Sequence, residues 1–162
     1  MTYMKPDKKA VKAWRLGRLI SFAAILAAAL GSLAVYFFLP EARDVFKWIL
    51  PGTGLLALYK LAGLFVYPAI EYRQWAYMIT DEKVEIIHGI FYITRDVIPV
   101  VRIQNITVKQ GPIYRRYGLY TVEIALASGT FQIVGLTGET ADEIAEAVRE
   151  KLYSRLEKEG NR

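Results

Sequence analysis

The chain has no cysteine, one histidine and four serines in 162 residues. The first absence excludes a disulfide framework, thiolate metal ligands and a cysteine nucleophile. The second leaves His88 without another imidazole to share a metal, and the carboxylates are not grouped at ligand spacing. Of the serines, Ser21 and Ser32 fall inside a long apolar run, so a serine, histidine and carboxylate triad has few possible members. A glycine-rich phosphate loop is missing too: Gly52-Thr53-Gly54 sits in a second apolar run, outside the strand-to-helix setting such a loop needs. On residue types alone, no catalytic residue, metal, cofactor or small-molecule substrate is expected.

Most of the chain also lacks a basic excess. The net charge of +5 is carried entirely by residues 1–18, where Lys5, Lys8, Lys9, Lys12, Arg15 and Arg18 face only Asp7. Residues 19–71 balance three bases against three acids, and residues 72–162 twelve against twelve. A basic flank on an otherwise neutral chain argues against a nucleic-acid module.

What is present in quantity is apolar residue, 54% of the chain, and it is segregated. Residues 19–39, LISFAAILAAALGSLAVYFFL, run 21 positions without a charge, enough helix to cross a bilayer. The run is longer than a signal-peptide core and a second follows at once, so it is read as a retained span. The second, residues 48–70, WILPGTGLLALYKLAGLFVYPAI, holds one charge, Lys60. The intervening PEARDVFK is too short to be a domain, which predicts a transmembrane hairpin over 19–71. Six bases precede the first span and two occupy the connecting loop, which predicts a two-pass protein of the cell membrane with both termini cytoplasmic.

Two features of the spans invite a partner. Ala23, Ala27 and Gly31, with Ala24, Ala28 and Ser32, form a small-residue face that packs either within the hairpin or against another subunit. Lys60 at mid-span is unfavourable by roughly 3 kcal/mol, and neither span holds an acid to pair with it. It either snorkels or bonds Tyr59, Tyr36 or Ser32, or it meets a carboxylate from a partner helix.

From residue 72 the apolar period falls to two. Strands are expected over 74–80, 84–87, 90–98, 103–108, 120–127 and 130–134, with a polar turn at Thr80-Asp81-Glu82-Lys83 and a tight one at His88-Gly89. Gly111-Pro112 and Gly118 bound a loop between the fourth and fifth strands. Thr140 and Glu143 have capping-box spacing at the start of a final helix, whose apolar stripe is Ile144, Ala145, Val148, Leu152 and Leu156. Its acids lie early, and Arg149, Lys151, Arg155 and Lys158 lie late, as the helix dipole favours. The expectation is an α+β chain: residues 1–18 a basic cytoplasmic segment, 19–71 the two-helix hairpin, and 72–162 an antiparallel β-barrel capped by one helix, of pleckstrin-homology (PH) form.

Arg102-Ile103-Gln104, Val108, Gln110-Gly111-Pro112, Arg116, Tyr117-Gly118-Leu119, Thr121-Val122, Ala127 and Gly129 resemble the motif of bacterial membrane-flanked PH-domain proteins of the YdbS type. Two N-terminal spans followed directly by this domain match that family over nearly the whole chain. The resemblance implies a membrane protein without an established reaction. Within the motif, Arg102, Gln104, Gln110, Gly111, Pro112, Gly118 and Leu119 are read as structural, fixing turns and satisfying backbone. Eukaryotic PH domains that bind phosphoinositides use a basic cluster at the first hairpin, and here that hairpin is Asp81-Glu82-Lys83, so inositide recognition is not implied.

Binding is the remaining function class. Residues 72–122 hold seven bases against four acids and residues 123–162 five against eight, a polarised domain tethered close to a bilayer. Tyr114, Arg115, Arg116 and Tyr117 are the candidate contact with anionic lipid, without headgroup specificity, or with a partner. The expected partner is a second copy or a related membrane protein, which makes the chain an adaptor or subunit of a membrane complex. The alternative is an oligomeric transport or export component built on the spans.

Overall fold

The computed structural model describes residues 3–160, apart from the side chains of Leu152 and of residues 155–160. Two long helices, α1 (Lys9–Phe38) and α2 (Arg43–Gln74), are joined by a 3₁₀ turn at Pro40–Ala42. Six strands follow: β1 (Ala76–Ile79), β2 (Lys83–His88), β3 (Thr94–Pro99), β4 (Ile103–Lys109), β5 (Leu119–Leu126) and β6 (Gly129–Thr137). A short helix α3 (Pro112–Tyr117) lies between β4 and β5, and α4 (Gly138–Gly160) ends the chain. The chain divides into two compact units, Trp14–Ala69 and Met1–Ala13 with Ile70–Arg162.

In the helical unit both helices are long and apolar enough to cross a membrane. Pro51 and Pro68 lie inside α2, a placement that membrane helices tolerate because neighbouring groups satisfy the freed carbonyls. Ser32 donates to the carbonyl of Ala29 at 2.8 Å and meets Thr53 of α2 at 3.5 Å. Of the small-residue face only Ser32 is buried; Ala23, Ala24, Ala27, Ala28 and Gly31 are exposed. Of the two packing alternatives for that face, packing within the hairpin accounts for Ser32, and the other five positions are left exposed.

The second unit contains two three-stranded antiparallel sheets, β1-β2-β3 and β4-β5-β6, and not the single closed barrel expected. The strand edges at the seam, β1 and β6, do not pair with each other. Residues 3–7 cross between them instead. Met4 and Tyr77 exchange backbone hydrogen bonds of 2.8 and 2.9 Å, and the Asp7 amide donates to the Gly135 carbonyl at 2.8 Å. Such strand edges, left bare, invite pairing with other chains. The segment before α1 thus belongs to the sheet domain, a role its lysine-rich composition did not announce.

The core of the sheet domain is mostly aliphatic: Val84, Ile86, Ile98, Val100, Leu119, Val122, Ile124, Ile133 and Leu136 are buried, with Ala141, Ile144, Ala145 and Val148 from α4, and Trp75, Tyr77 and Met78 join them. Each buried valine, leucine or isoleucine contributes about 1.5–3 kcal/mol on burial. Ile144, Ala145 and Val148 are the expected stripe; the side chains of Leu152, Leu156, Arg155 and Lys158 lie outside those described. The cap of α4 differs from expectation. Thr137, not Thr140, precedes the first turn, and its hydroxyl accepts the Thr140 amide at 3.3 Å. Both threonines sit before acids, and the end of β6 decides between them.

Two further expectations change. His88 is the last residue of β2 and not part of a turn, and β3 begins at Thr94, four residues later than expected. Gly89 (φ 135°) leaves the strand, and a Cβ there would lie 1.9 Å from the Tyr92 carbonyl oxygen. The loop from Gly111 to Gly118 also closes into α3: Pro112 stands in the first turn, and Gly118, left-handed at φ 64°, returns its amide to the carbonyls of Arg115 and Tyr114.

Gly135 lies close against the N-terminal segment. Its φ is +71°, and a Cβ would come within 2.6 Å of the Ala10 Cβ. Gly135→Ala is expected to cost roughly 1–3 kcal/mol. It should lower the thermal midpoint of the full chain in detergent and speed amide exchange at Met4 and Asp7; an unchanged midpoint would show that the seam carries no stability.

Candidate functional site

The candidate contact residues lie on α3. Arg115 and Arg116 are exposed at its last turn, while Tyr114 and Tyr117 are half-buried. The two arginines occupy consecutive positions of a six-residue helical knuckle, and not of the loop expected. The knuckle is braced from below: the Gln110 side-chain amide donates to the Leu119 carbonyl at 3.1 Å, so the end of β4 is tied to the start of β5. Leu119 itself is fully buried. Gly111 caps the helix in extended conformation and Pro112 follows.

Arg102 and Gln104 lie elsewhere. Arg102 ends a 3₁₀ turn at Val100–Arg102. Gln104 is the extra residue of a β-bulge, where the register of β4 on β5 shifts between Ile103 and Asn105. Both are exposed, and among the described residues neither side chain makes a hydrogen bond or ion pair. They line a hollow with Val101, Ile103 and Ser128. The reading of Arg102 and Gln104 as residues that fix turns and satisfy backbone gains no side-chain contact from this arrangement. The bulge itself is what the position supplies.

Lys60 is half-buried in the helical unit, in a hollow lined by Arg18, Ser21, Tyr59, Gly63 and Tyr67. The Tyr67 hydroxyl meets that of Tyr59 at 3.3 Å, and the Tyr67 ring lies against Gly63, where a Cβ would come within 2.8 Å. Of the three groups named as bonding partners only Tyr59 is near; Ser32 is engaged with Ala29 and Thr53, and Tyr36 packs on Phe37.

A charged cluster of the sheet domain escaped sequence reading. Glu85, on β2, is fully buried. Its carboxylate accepts from the Tyr3 hydroxyl at 2.7 Å and from the Arg95 Nε at 3.0 Å, with the Arg95 Nη2 also on the same oxygen, and the Lys83 ammonium stands 2.5 Å from the other. Lys83, Tyr3 and Arg95, in that order of effect, hold the Glu85 carboxyl down at about 2. A buried carboxylate without partners would instead be raised. The sequence carried one signal, an acid between Val84 and Ile86 in a strand whose neighbours are apolar.

The same domain carries a smaller pair, His88 Nε2 to Asp96 Oδ2 at 2.9 Å across β2 and β3, with the imidazole stacked on Trp75 at 5.8 Å. With Thr130, Phe131, Gln132 and Val134 of β6 these residues line a second hollow. Among the described residues no group of three or more metal-binding side chains is present.

Two sheets, a C-terminal helix and two apolar N-terminal helices define a membrane-anchored PH-type chain, and residues 21–152 match the family model for the bacterial PH domain. The chain belongs to that family. It is 31% identical over 151 residues to the UPF0699 transmembrane protein YdbS of Bacillus subtilis (strain 168), covering 90% of this chain and 88% of that relative. No solved structure gives a significant match.

The depressed Glu85 carboxyl sets a pH dependence. Its ordinary value is 4.5 and its folded value about 2, so the stabilisation is fully present above 4.5 and is lost as pH falls through 2. Wild type should lose stability over that window, and Glu85→Gln should flatten the dependence while lowering the thermal midpoint at neutral pH. An identical acid limb in both proteins would exclude the cluster as its source.

Proposed function

We propose that the protein is a membrane-anchored interaction module, an adaptor or subunit of a membrane complex, which acts by binding and not by catalysis. The observation that carries this reading is the double attachment of the sheet domain. Residues 1–13, before the first apolar helix, and residues 70–162, after the second, belong to one compact unit. A chain that crosses twice returns to its starting side, and the basic N-terminal flank favours the cytoplasm for both termini. A domain fixed at both ends of a hairpin stays at the bilayer surface, where weak contacts gain from high local concentration.

Arg115 and Arg116 on α3 suit anionic lipid without selecting a headgroup. The first hairpin does not suit a phosphoinositide: Asp81 pairs with Lys151 at 2.8 Å, and the Glu82 carbonyl takes the Val100 amide. The exposed row Ala23, Ala27 and Gly31 is compatible with a second copy or a related membrane protein packing on α1.

Gentle detergent extraction followed by mass measurement tests the reading. A mass above one protomer, or a stoichiometric companion protein, is expected; a strictly monomeric species without companion would overturn it. For the lipid contact, amide exchange over Pro112–Tyr117 should be slower in anionic than in zwitterionic vesicles, and high salt should erase the difference. Arg115→Glu with Arg116→Glu should abolish it, each arginine being worth about 1 kcal/mol near a charged surface.

A further inference from the structure

We infer that the β2–β3 loop, Gly89–Ile93, is an aromatic foot that inserts into the membrane interface beside the point where α2 enters the domain. The inference rests on the reading that the domain is held at the bilayer. It concerns a segment whose large side chains are mainly exposed: Phe91, Tyr92 and Ile93 are 76, 89 and 62% exposed. Three consecutive large apolar side chains turned outward on a sheet loop form a patch that a solvated domain does not otherwise need.

Sheet register says where this patch lies. β1 starts at Ala76, one residue after Trp75, and Trp75 still donates its amide to the Glu71 carbonyl at the end of α2. β1 runs away from the helix end and β2 runs back, with Ile87 opposite Ala76. The loop therefore opens beside the residue at which the chain leaves the apolar helix. The stacking of His88 on Trp75 makes that adjacency a contact. From there β3 departs again, with Thr94 opposite His88.

Charge separates the two ends of this sheet. Around the helix end stand Arg73, exposed, and Lys5, whose ammonium donates to the Arg73 carbonyl at 3.2 Å and lies 5.9 Å from the centre of the Tyr72 ring. At the opposite end the β1–β2 turn presents Asp81 and Glu82 to solvent. Asp81 is paired with Lys151, so Glu82 is what leaves this end less attractive to an anionic bilayer than the end carrying Arg73 and Lys5. Tyrosine settles at the headgroup level, and phenylalanine on an apolar face beside bases at the headgroup–acyl boundary. The loop also holds its shape, since Gly89 at φ 135° admits no side chain against the Tyr92 carbonyl.

The absence of cysteine makes the test direct. Tyr92→Cys and, as the far-end control, Glu82→Cys are labelled with an environment-sensitive fluorophore in the full chain reconstituted in vesicles of mixed anionic and zwitterionic phospholipid. The label at 92 should be quenched by nitroxide on shallow acyl positions and shielded from aqueous iodide, and the label at 82 should behave in the opposite way. Phe91→Ser with Ile93→Ser should return the label at 92 to iodide. Equal iodide access at both sites overturns the proposal. Shielding from iodide without lipid quenching also overturns it, in favour of a protein surface such as a second copy. Complexes that persist while the label at 92 stays aqueous remove this inference alone and leave the adaptor reading standing.

Discussion

A carboxylate taken out of water must be matched, and the sheet domain is arranged around that requirement at Glu85. Three donors from three places in the chain converge on it: Lys83 two residues away, Arg95 on the neighbouring strand, and Tyr3 from before the first helix. The first two are local to the sheet. Tyr3 is not, and its hydroxyl couples the N-terminal segment to the sheet through a bond made with a charged acceptor, the stronger kind of hydrogen bond. The Met4–Tyr77 bridge and the Asp7–Gly135 hydrogen bond continue the same docking along the seam. Without the segment, β1 and β6 would present open edges and Glu85 would lose a partner.

This places the family's barrel in a different light. The two sheets of this chain do not close on each other by strand pairing; they are joined by a 3₁₀ turn between β3 and β4 and by an extended segment from the far side of two helices. The basic residues of that segment are compatible with its position because their long side chains can extend outward while Ala10 and Ala13 are buried. Small residues fit where the backbone must come close, as Gly135 does on Ala10.

Much of the architecture was legible in the primary structure. The two apolar runs pointed to both long helices, and alternation at Val122 and Ile124 to the wall of β5. The α4 stripe at Ile144, Ala145 and Val148 was likewise readable from spacing. Where reading failed, competing local patterns were resolved by distant partners. Ile90–Ile93 are strong strand formers, yet Gly89 turns the backbone out of register and leaves them in a loop. The helix over Pro112–Tyr117 had its signals, a proline start and a glycine stop, but two tyrosines and two arginines carry no apolar period. The site residues fared less well. Arg115 and Arg116 could be named because they stand together between tyrosines. The Glu85 cluster could not, because Tyr3 is 82 residues away and nothing in either neighbourhood points to the other.

The N-terminal segment has a consequence for biogenesis. It is made before either apolar helix, and the strands it joins are made after both. The seam can close only when the two ends of the hairpin emerge on the same side of the membrane. A chain inserted with one crossing would strand Tyr3 and Met4 across the bilayer from Glu85 and Tyr77, leaving two bare sheet edges and a buried acid short of a partner. Closure of the seam therefore ties the finished domain to an even number of crossings: the sheet edges are covered only where both ends of the hairpin lie on one side.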